Sequence, residues 1–497
     1  MTNNQKEILY EKKYQIVHLT NPSACSWFCP ARFHCQYISK GFRSFKKGIQ
    51  TEHKQFQVKN DSVFTQFLKG SWASFNVLYK AKPEAPKPIV QPTAPPTLEK
   101  KSSPVDVLPI DSMKKSNISN PIKIELKIEK KGQPDSVESG GTAMINMDFY
   151  GNEMKLSYPS DIPQIGRISA ENITAFFNKA SNSTSILALI SELTAHKKKL
   201  KLNDWGYYRL AENSIEKLVS NPISKTLLVW VILLKSGYNV KTGFSSNSVF
   251  LLIPFREEIF NSYYLSIDEV IYYIPEAKKA DEISQLTVHK ADYPGNRILL
   301  LTFDQLPDLG TKTTTRELTF RGSKLFVEQN TRLIDYYRDY PLCEMKVYFS
   351  APLSEELLNS LDKYFTPLFS GKTNKQKVAT LLEFVQKAFP YQTDKEQFGR
   401  EKYFFPDELF FYPFSDCEDR SVLFTRLVRH FTNLQCVGLD FPGHVNTGVC
   451  FQEETRGDYV TIKELKYIVC DPTYINAPIG YLSDEFKGKP PKIITFD

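Results

Sequence analysis

The sequence predicts an α+β chain of several domains, and three observations lead there. Its 497 residues exceed one ordinary domain. Helical and strand periodicities fill separate long stretches instead of alternating element by element. The chain also matches itself at an offset of 195 residues, over a helix followed by strands.

In chain order, residues 1–117 are expected to form a flexible basic leader, a short helix and a proline-rich linker. Residues 1–60 carry ten Lys or Arg against three Asp or Glu, which accounts for the whole net charge of +7. The rest holds 53 of each sign and is neutral, so the basic groove required by a nucleic-acid partner is absent from the sequence. Cys25, Cys29, His34 and Cys35 fit no common zinc module, so neither metal nor cofactor is expected. No apolar run approaches the roughly 18 residues of a membrane span; "TLLVWVILL" at 226–234 reads as a buried helix.

In residues 61–80, Phe64, Phe67, Leu68, Trp72 and Phe75 fall at helical spacing, which predicts an amphipathic helix. Eight prolines between 81 and 110 predict a semi-rigid spacer, with the folded body starting near 118. "PIKIELKIEK" alternates Ile122, Ile124, Leu126 and Ile128 as a strand does. "AMINMDFYGNEMKLSYP" reads as a hairpin turning at Gly151-Asn152. Residues 169–236 read as successive helices. Residues 244–350 favour strands, as in "SVFLLI", "RILLLTF" and "CEMKVYF". Helical period returns at 353–389 and strands at 445–471. The resulting division is a first unit at 118–280, a β-rich connecting module at 281–351 and a second unit at 352–497.

The self-match lays "YLSIDEVIYYI" (264–274) on "YVTIKELKYIV" (459–469), and "TLLVWVILLKSGY" on "SVLFTRLVRHFTN", with Gly243 on Gly438. It also shows which copy can react. Pro222, Val249 and Glu276 of the first copy stand where the second has Cys417, His444 and Asp471. No cysteine or histidine lies between 225 and 280, so the first copy lacks a nucleophile.

Thiol catalysis needs an ionisable cysteine, a base, and a group that orients the base. Cys417 precedes an apolar helix, where unpaired amides and the helix dipole lower a thiol's pKa and can bind an oxyanion. Asp416, Glu418 and Asp419 favour that helix start as caps while opposing a thiolate. His444 begins a strand after a tight Gly443 turn, and Asp471 ends another strand before a proline. His430 lies about 20 Å along the cysteine's own helix, too far to act. Cys436, Cys450 and Cys470 read as packing thiols. The aromatic run "KYFFPDELFFYPF" serves equally as groove wall or core.

"DCEDRSVLFTRLVRHF…VGLDFPGHV…YIVCDPTY" resembles the core of bacterial transglutaminase-like proteins, within the papain-like cysteine hydrolase superfamily. The resemblance covers roughly 375–480, with 27 residues from cysteine to histidine and 27 more to aspartate. It implies Cys417 as nucleophile, His444 as general base and acid, and Asp471 as orienting carboxylate. The first copy would then be a degenerate unit of the same kind. Two departures stand out. Val445 and Asn446 follow the histidine where the family often has an aromatic. Phe411 occupies the place of the oxyanion-hole glutamine, so the second oxyanion donor is unassigned. The implied activity is peptide or amide hydrolysis, or transfer to an amine, on a protein or peptide substrate such as a cell-wall peptide. A non-catalytic binding protein that keeps the fold is the alternative. The resemblance implies an exported protein. The N-terminus lacks the apolar core of a signal peptide, which leaves a cytoplasmic location as the other reading.

Overall fold

The computed structural model describes residues 72–83, 86–95, 102–108, 144–157, 159, 161–277, 283–289 and 297–496. The leader through residue 71, its Cys25, Cys29, His34 and Cys35, and the strand expected at 122–128 lie outside the described residues. Helices and sheets occupy separate stretches, as an α+β chain requires. No described helix is long and apolar enough to cross a membrane.

The hairpin of β3 (Met144–Phe149) and β4 (Asn152–Ser157) forms as expected. Phe149 pairs with Asn152, so the turn is Tyr150-Gly151, one residue earlier than the sequence reading. Four helices follow: α1 (Ala170–Asn182), α2 (Thr184–Lys199), α3 (Asp204–Leu218) and α4 (Pro222–Lys235). Ser169, Ser183, Asn203 and Asn221 cap them, each side chain accepting an otherwise unpaired backbone N–H. Helix α4 begins on Pro222, whose fixed φ suits a first turn. Leu227 to Leu234 are all buried, since α1 and α3 cover one side of α4 and a sheet the other.

That sheet contains β5 (Lys241–Phe244), β6 (Val249–Leu252), β9 (Gln285–His289) and β1 (Trp72–Asn76), in the order β1-β9-β5-β6. A second set, β2 (Leu78–Lys80), β7 (Ser262–Ile267) and β8 (Val270–Ile274), joins its β6 edge through the Ile253–Tyr273 bridge. Next come the hairpin β10 (Thr313–Phe320) and β11 (Ser323–Asn330), then α5 (Thr331–Arg338) and α6 (Met345–Ser350). Helices α7 (Glu355–Leu368), α8 (Asn374–Ala388), α9 (Asp394–Phe398), α10 (Glu408–Phe411) and α11 (Cys417–Thr432) precede the last sheet. It consists of β12 (Cys436–Phe441), β13 (His444–Val449), β14 (Tyr459–Ile462), β15 (Leu465–Cys470) and β16 (Lys492–Ile494), in the order β14-β15-β13-β12-β16.

The offset of 195 residues is visible in the backbone. Pro222 and Cys417 are both first residues of their helices. Tyr264 pairs with Tyr273 as Tyr459 pairs with Ile468, and Ile267 with Val270 as Ile462 with Leu465. The intervening turns agree even in their unusual left-handed residues: Asp268 and Glu269 at φ 48° and 68°, Lys463 and Glu464 at 46° and 68°. Gly243 and Gly438 occupy matching strands where a Cβ would press on the next strand, at 3.0 Å from Val288 and 3.1 Å from Ile494.

Several expectations need correction. The helix expected over 61–80 is, across its described part, strands β1 and β2; pairing with β9 and β7 overrides the helical spacing of the aromatics. The proline stretch is no free spacer and the body does not start at 118. Residues 86–95 and 102–108 are bonded along the last sheet and its loops. "RILLLTF" contributes bridges at Arg297 and Leu299 but no regular strand, and "CEMKVYF" lies largely in α6, with Val347, Tyr348 and Phe349 all buried. Strand β9 carries the first sheet past residue 280. All described residues fall in one compact unit, and a single core joins Trp230 and Val249 to Val422, Val445 and Ile494.

Candidate active site

Cys417 is the first residue of α11, and the helix start is fixed by a reciprocal cap. Asp416 accepts the Asp419 N–H while Asp419 Oδ2 accepts the Asp416 N–H at 3.2 Å. Helix α11 lies along β13. Ser421, one turn beyond Cys417, donates to the Val445 carbonyl at 2.7 Å, and Thr425 and Thr447 hydroxyls meet at 3.2 Å. The helix start therefore lies at the end of the sheet where His444 begins β13. Pro442-Gly443 makes the two-residue turn before it, with Gly443 at φ 80°, a conformation that favours glycine.

The structure brings His444 and Asp471 together. His444 Nε2 lies 2.9 Å from Asp471 Oδ2, with both side chains fully buried. Asp471 Oδ1 accepts the Thr473 and Tyr474 N–H groups at 2.9 and 3.1 Å, which is what the aspartate-proline turn supplies. The Asn446 amide, turned to satisfy its neighbours, donates to Oδ2 at 3.0 Å and Oδ1 at 3.3 Å. Phe486 stacks on the imidazole at 4.9 Å and Tyr474 meets it edge-on. Burial opposes charging His444, but Asp471 and its hydrogen bond outweigh that and raise the pKa. Nε2 faces the carboxylate, and Nδ1 is buried without a partner.

Cys417 is not hydrogen-bonded to His444. Its thiol donates to Glu418 Oε2 at 2.9 Å. It is fully buried, and burial, then Glu418 and Asp416, push its pKa well above the ordinary thiol value. The helix start therefore does not yield the low thiol pKa expected from the sequence. Desolvation and two carboxylates exceed a dipole effect of about 1 kcal/mol.

The negative charge around Cys417 is met by a residue from the proline stretch. Lys87 donates to Asp416 Oδ2 at 2.9 Å, to Glu401 Oε1 at 3.0 Å, and to Glu418. One ammonium cannot sustain every carboxylate. Burial raises Asp416 and Asp419 well above the usual carboxylate range and Asp394 to about 7. Glu418 alone is held low: burial opposes its charge, but Lys87 and then Lys82 outweigh it. Asp394, Asp416 and Asp419 bring oxygens within 4.8 Å of one another, as do Asp416 and Glu418 with the Cys417 sulfur. Asp394, Glu401 and Glu418 form a third such group, and among these described side chains Lys87 already supplies the charge a cation would bring. Around the same point, Arg420 is fully buried and donates to Ser415 Oγ, Gln386 O and Phe389 O, and Gln386 donates to Asp471 O at 2.9 Å.

His430 pairs with exposed Asp362 at the far end of α11, as its distance required. Tyr403, Phe404, Phe405, Leu409 and Phe410 are buried, so the aromatic run is core. In the first copy Glu276, at the position of Asp471, accepts from the Tyr208 hydroxyl at 3.3 Å. The sequence does not single out Lys87, Arg420 or Gln386, and it marks Asn446 only as a departure from the family pattern. For Asn446 the period-two alternation after His444 was a usable signal, since residues 444 and 446 share a strand face; for Lys87 there was none. Comparison with profiles of known families, with characterised proteins and with solved structures returned no match.

Proposed function

We propose that this chain carries out cysteine-dependent acyl transfer on a transglutaminase-like core, with the first copy a degenerate unit. The observation that carries this reading is the buried His444–Asp471 pair, whose free Nδ1 stands at the sheet end where α11 presents Cys417. In the proposed reaction the Cys417 proton passes to Nδ1, and the sulfur attacks an amide carbonyl carbon. Asp471 stabilises the imidazolium. The amide C–N bond then breaks, the amine leaves with the proton from His444, and an acyl thioester remains on Cys417. Water or a second amine, deprotonated by His444, resolves the thioester to acid or new amide and returns the thiol. The first-turn amides of α11 are one oxyanion donor set.

The second reading, a binding protein, is favoured by one observation: the thiol is buried, neutral and bonded to Glu418. An alkylating probe separates the two. It would be applied to the wild-type chain and to Ala94→Pro, which removes the N–H donated to the Ile475 carbonyl and so loosens the segment whose Lys87 binds Asp416 and Glu418 beside Cys417. Catalysis requires that the loosened chain label at Cys417 faster than denatured protein at pH 7, and that His444→Ala abolish the excess. Labelling no faster than in denatured protein in both chains would leave the binding reading.

A further inference from the structure

We infer that the surface made by residues 473–475 and the carboxylates of Glu401, Asp416 and Glu418 recognises an extended, proline-containing peptide bearing a cationic side chain. In this structure it is occupied by residues 86–95 of the same chain. The backbone contacts are those of a strand added to an edge. Ala94 N donates to Ile475 O and Ile475 N to Pro92 O, both at 2.9 Å, around a parallel Thr93–Ile475 bridge. The Tyr391 hydroxyl donates to Pro88 O at 2.8 Å. The prolines lose nothing here, because this surface reads their carbonyls and proline has no N–H to satisfy.

Side-chain recognition falls at three positions. Gln91 Nε2 donates to Thr473 O at 2.8 Å and Gln386 O at 2.9 Å. Ala94 is 4% exposed and packs into the core beside the last sheet, so a larger side chain would have to displace that packing. Lys87 reaches three carboxylates more than 300 residues away in sequence. The acidic pocket has capacity beyond this lysine: Asp416 is fully buried and its Oδ1 has no hydrogen-bond partner. A guanidinium, with five N–H donors against three, would reach that oxygen and favour the ionised form of a carboxyl that burial otherwise keeps neutral. Between these positions Ile89 and Val90 are 72% and 78% exposed and are not read. Beyond Gln386, the surface continues into a cavity of about 460 Å³ lined by Lys375, Glu383, Asn476 and Pro478, with room for a longer ligand.

This inference names the ligand of the site proposed above and rests on that reading only for what happens after binding. The probe is a labelled synthetic peptide of residues 86–95, PKPIVQPTAP, followed by fluorescence anisotropy against the full chain. The wild-type chain should bind weakly, because its own segment competes. Ala94→Pro in the chain should bind the peptide at least tenfold tighter. Replacing the peptide's lysine by alanine should weaken binding at least tenfold, arginine should match or exceed lysine, and alanine at its isoleucine and valine should change little. Lys87→Met provides a second opened chain should Ala94→Pro not fold. A folded, opened chain that ignores the peptide, or that binds the lysine and alanine versions alike, overturns the inference. Anisotropy reads binding without turnover, so this inference stands or falls on the peptide, whichever way the alkylation of Cys417 decides the catalytic reading.

Discussion

Replacing Lys87 by methionine isolates the energetics of the charged contact beside Cys417. The substitution keeps the aliphatic stem and removes the ammonium, leaving buried Glu418 with only the weaker influence of Lys82 to offset its charge. Breaking one side of a buried ion pair costs about 3–5 kcal/mol. The lower end applies, because the Lys87 side chain keeps 13% exposure. The cost is taken to fall on local opening of residues 86–95, whose contacts are a short bridge and a few side-chain bonds. At about 1.4 kcal/mol per tenfold, 3 kcal/mol corresponds to roughly 150-fold more frequent opening. Hydrogen exchange of peptides spanning 88–95 and 472–477 reads it, since Ala94 and Ile475 amides bond across the contact. Adding Glu418→Gln should recover much of the loss, because the unpaired charge is then gone. Exchange in Lys87→Met within threefold of wild type would refute the argument and reduce Lys87 to a surface contact.

Stability should fall as pH rises from about 4 to 8. Asp394 and Asp407 titrate near 7 and Asp440 near 6 because burial disfavours their charge, so over this range the folded chain holds protons the unfolded chain has lost. His444 acts in the same direction: its raised pKa contributes stability below about 6.5 that is lost as pH passes the folded value. Melting temperatures at pH 5 no higher than at pH 8 would contradict this. Gly457→Ala should cost at least about 2 kcal/mol in urea unfolding, because Gly457 sits at φ 135° and its Cβ would lie 2.2 Å from Gly480 Cα. A midpoint unchanged from wild type would show that the 456–480 contact yields easily. Under the proposed mechanism, Asp471→Asn should cut turnover by an amount approaching the roughly 10⁴ of a serine triad, measured on any substrate that acylates Cys417. Undiminished turnover would remove Asp471 from the mechanism.

Local signals carried much of the fold. The helices at 170–235 and 355–388, the hairpin at 144–157 and the paired strands after His444 follow from apolar spacing, caps and turn residues. The position of Cys417 at a helix start and the meeting of His444 with Asp471 were legible because each lies at the end of a well-patterned element. What could not be read depends on partners distant in sequence. Trp72 and Phe75 sit at helical spacing, yet they form a strand because β9, over 200 residues later, offers an edge. Eight prolines have no periodicity to interpret, and the partners of Gln91 and Lys87 lie about 300 to 380 positions downstream. Short α6 shows the converse failure: apolar residues buried on all sides imitate a buried strand. The thiol's raised pKa was hidden for the same reason, since it depends on how deeply the helix start is buried.

Residues 91–95 and 102–108 also tie the two ends of biosynthesis together. A ribosome makes these residues early, but Gln91 and Ala94 wait for Thr473 and Ile475, Val105 for Tyr459 and Leu108 for Pro491. Asp471 emerges in the same interval as those partners. The nascent chain thus has no stage at which the His444–Asp471 pair exists long before Thr473 and Ile475, the backbone partners of Gln91 and Ala94, have also been made. Completion of the His444–Asp471 pair and completion of the edge that holds Gln91 and Ala94 are therefore one late step of synthesis.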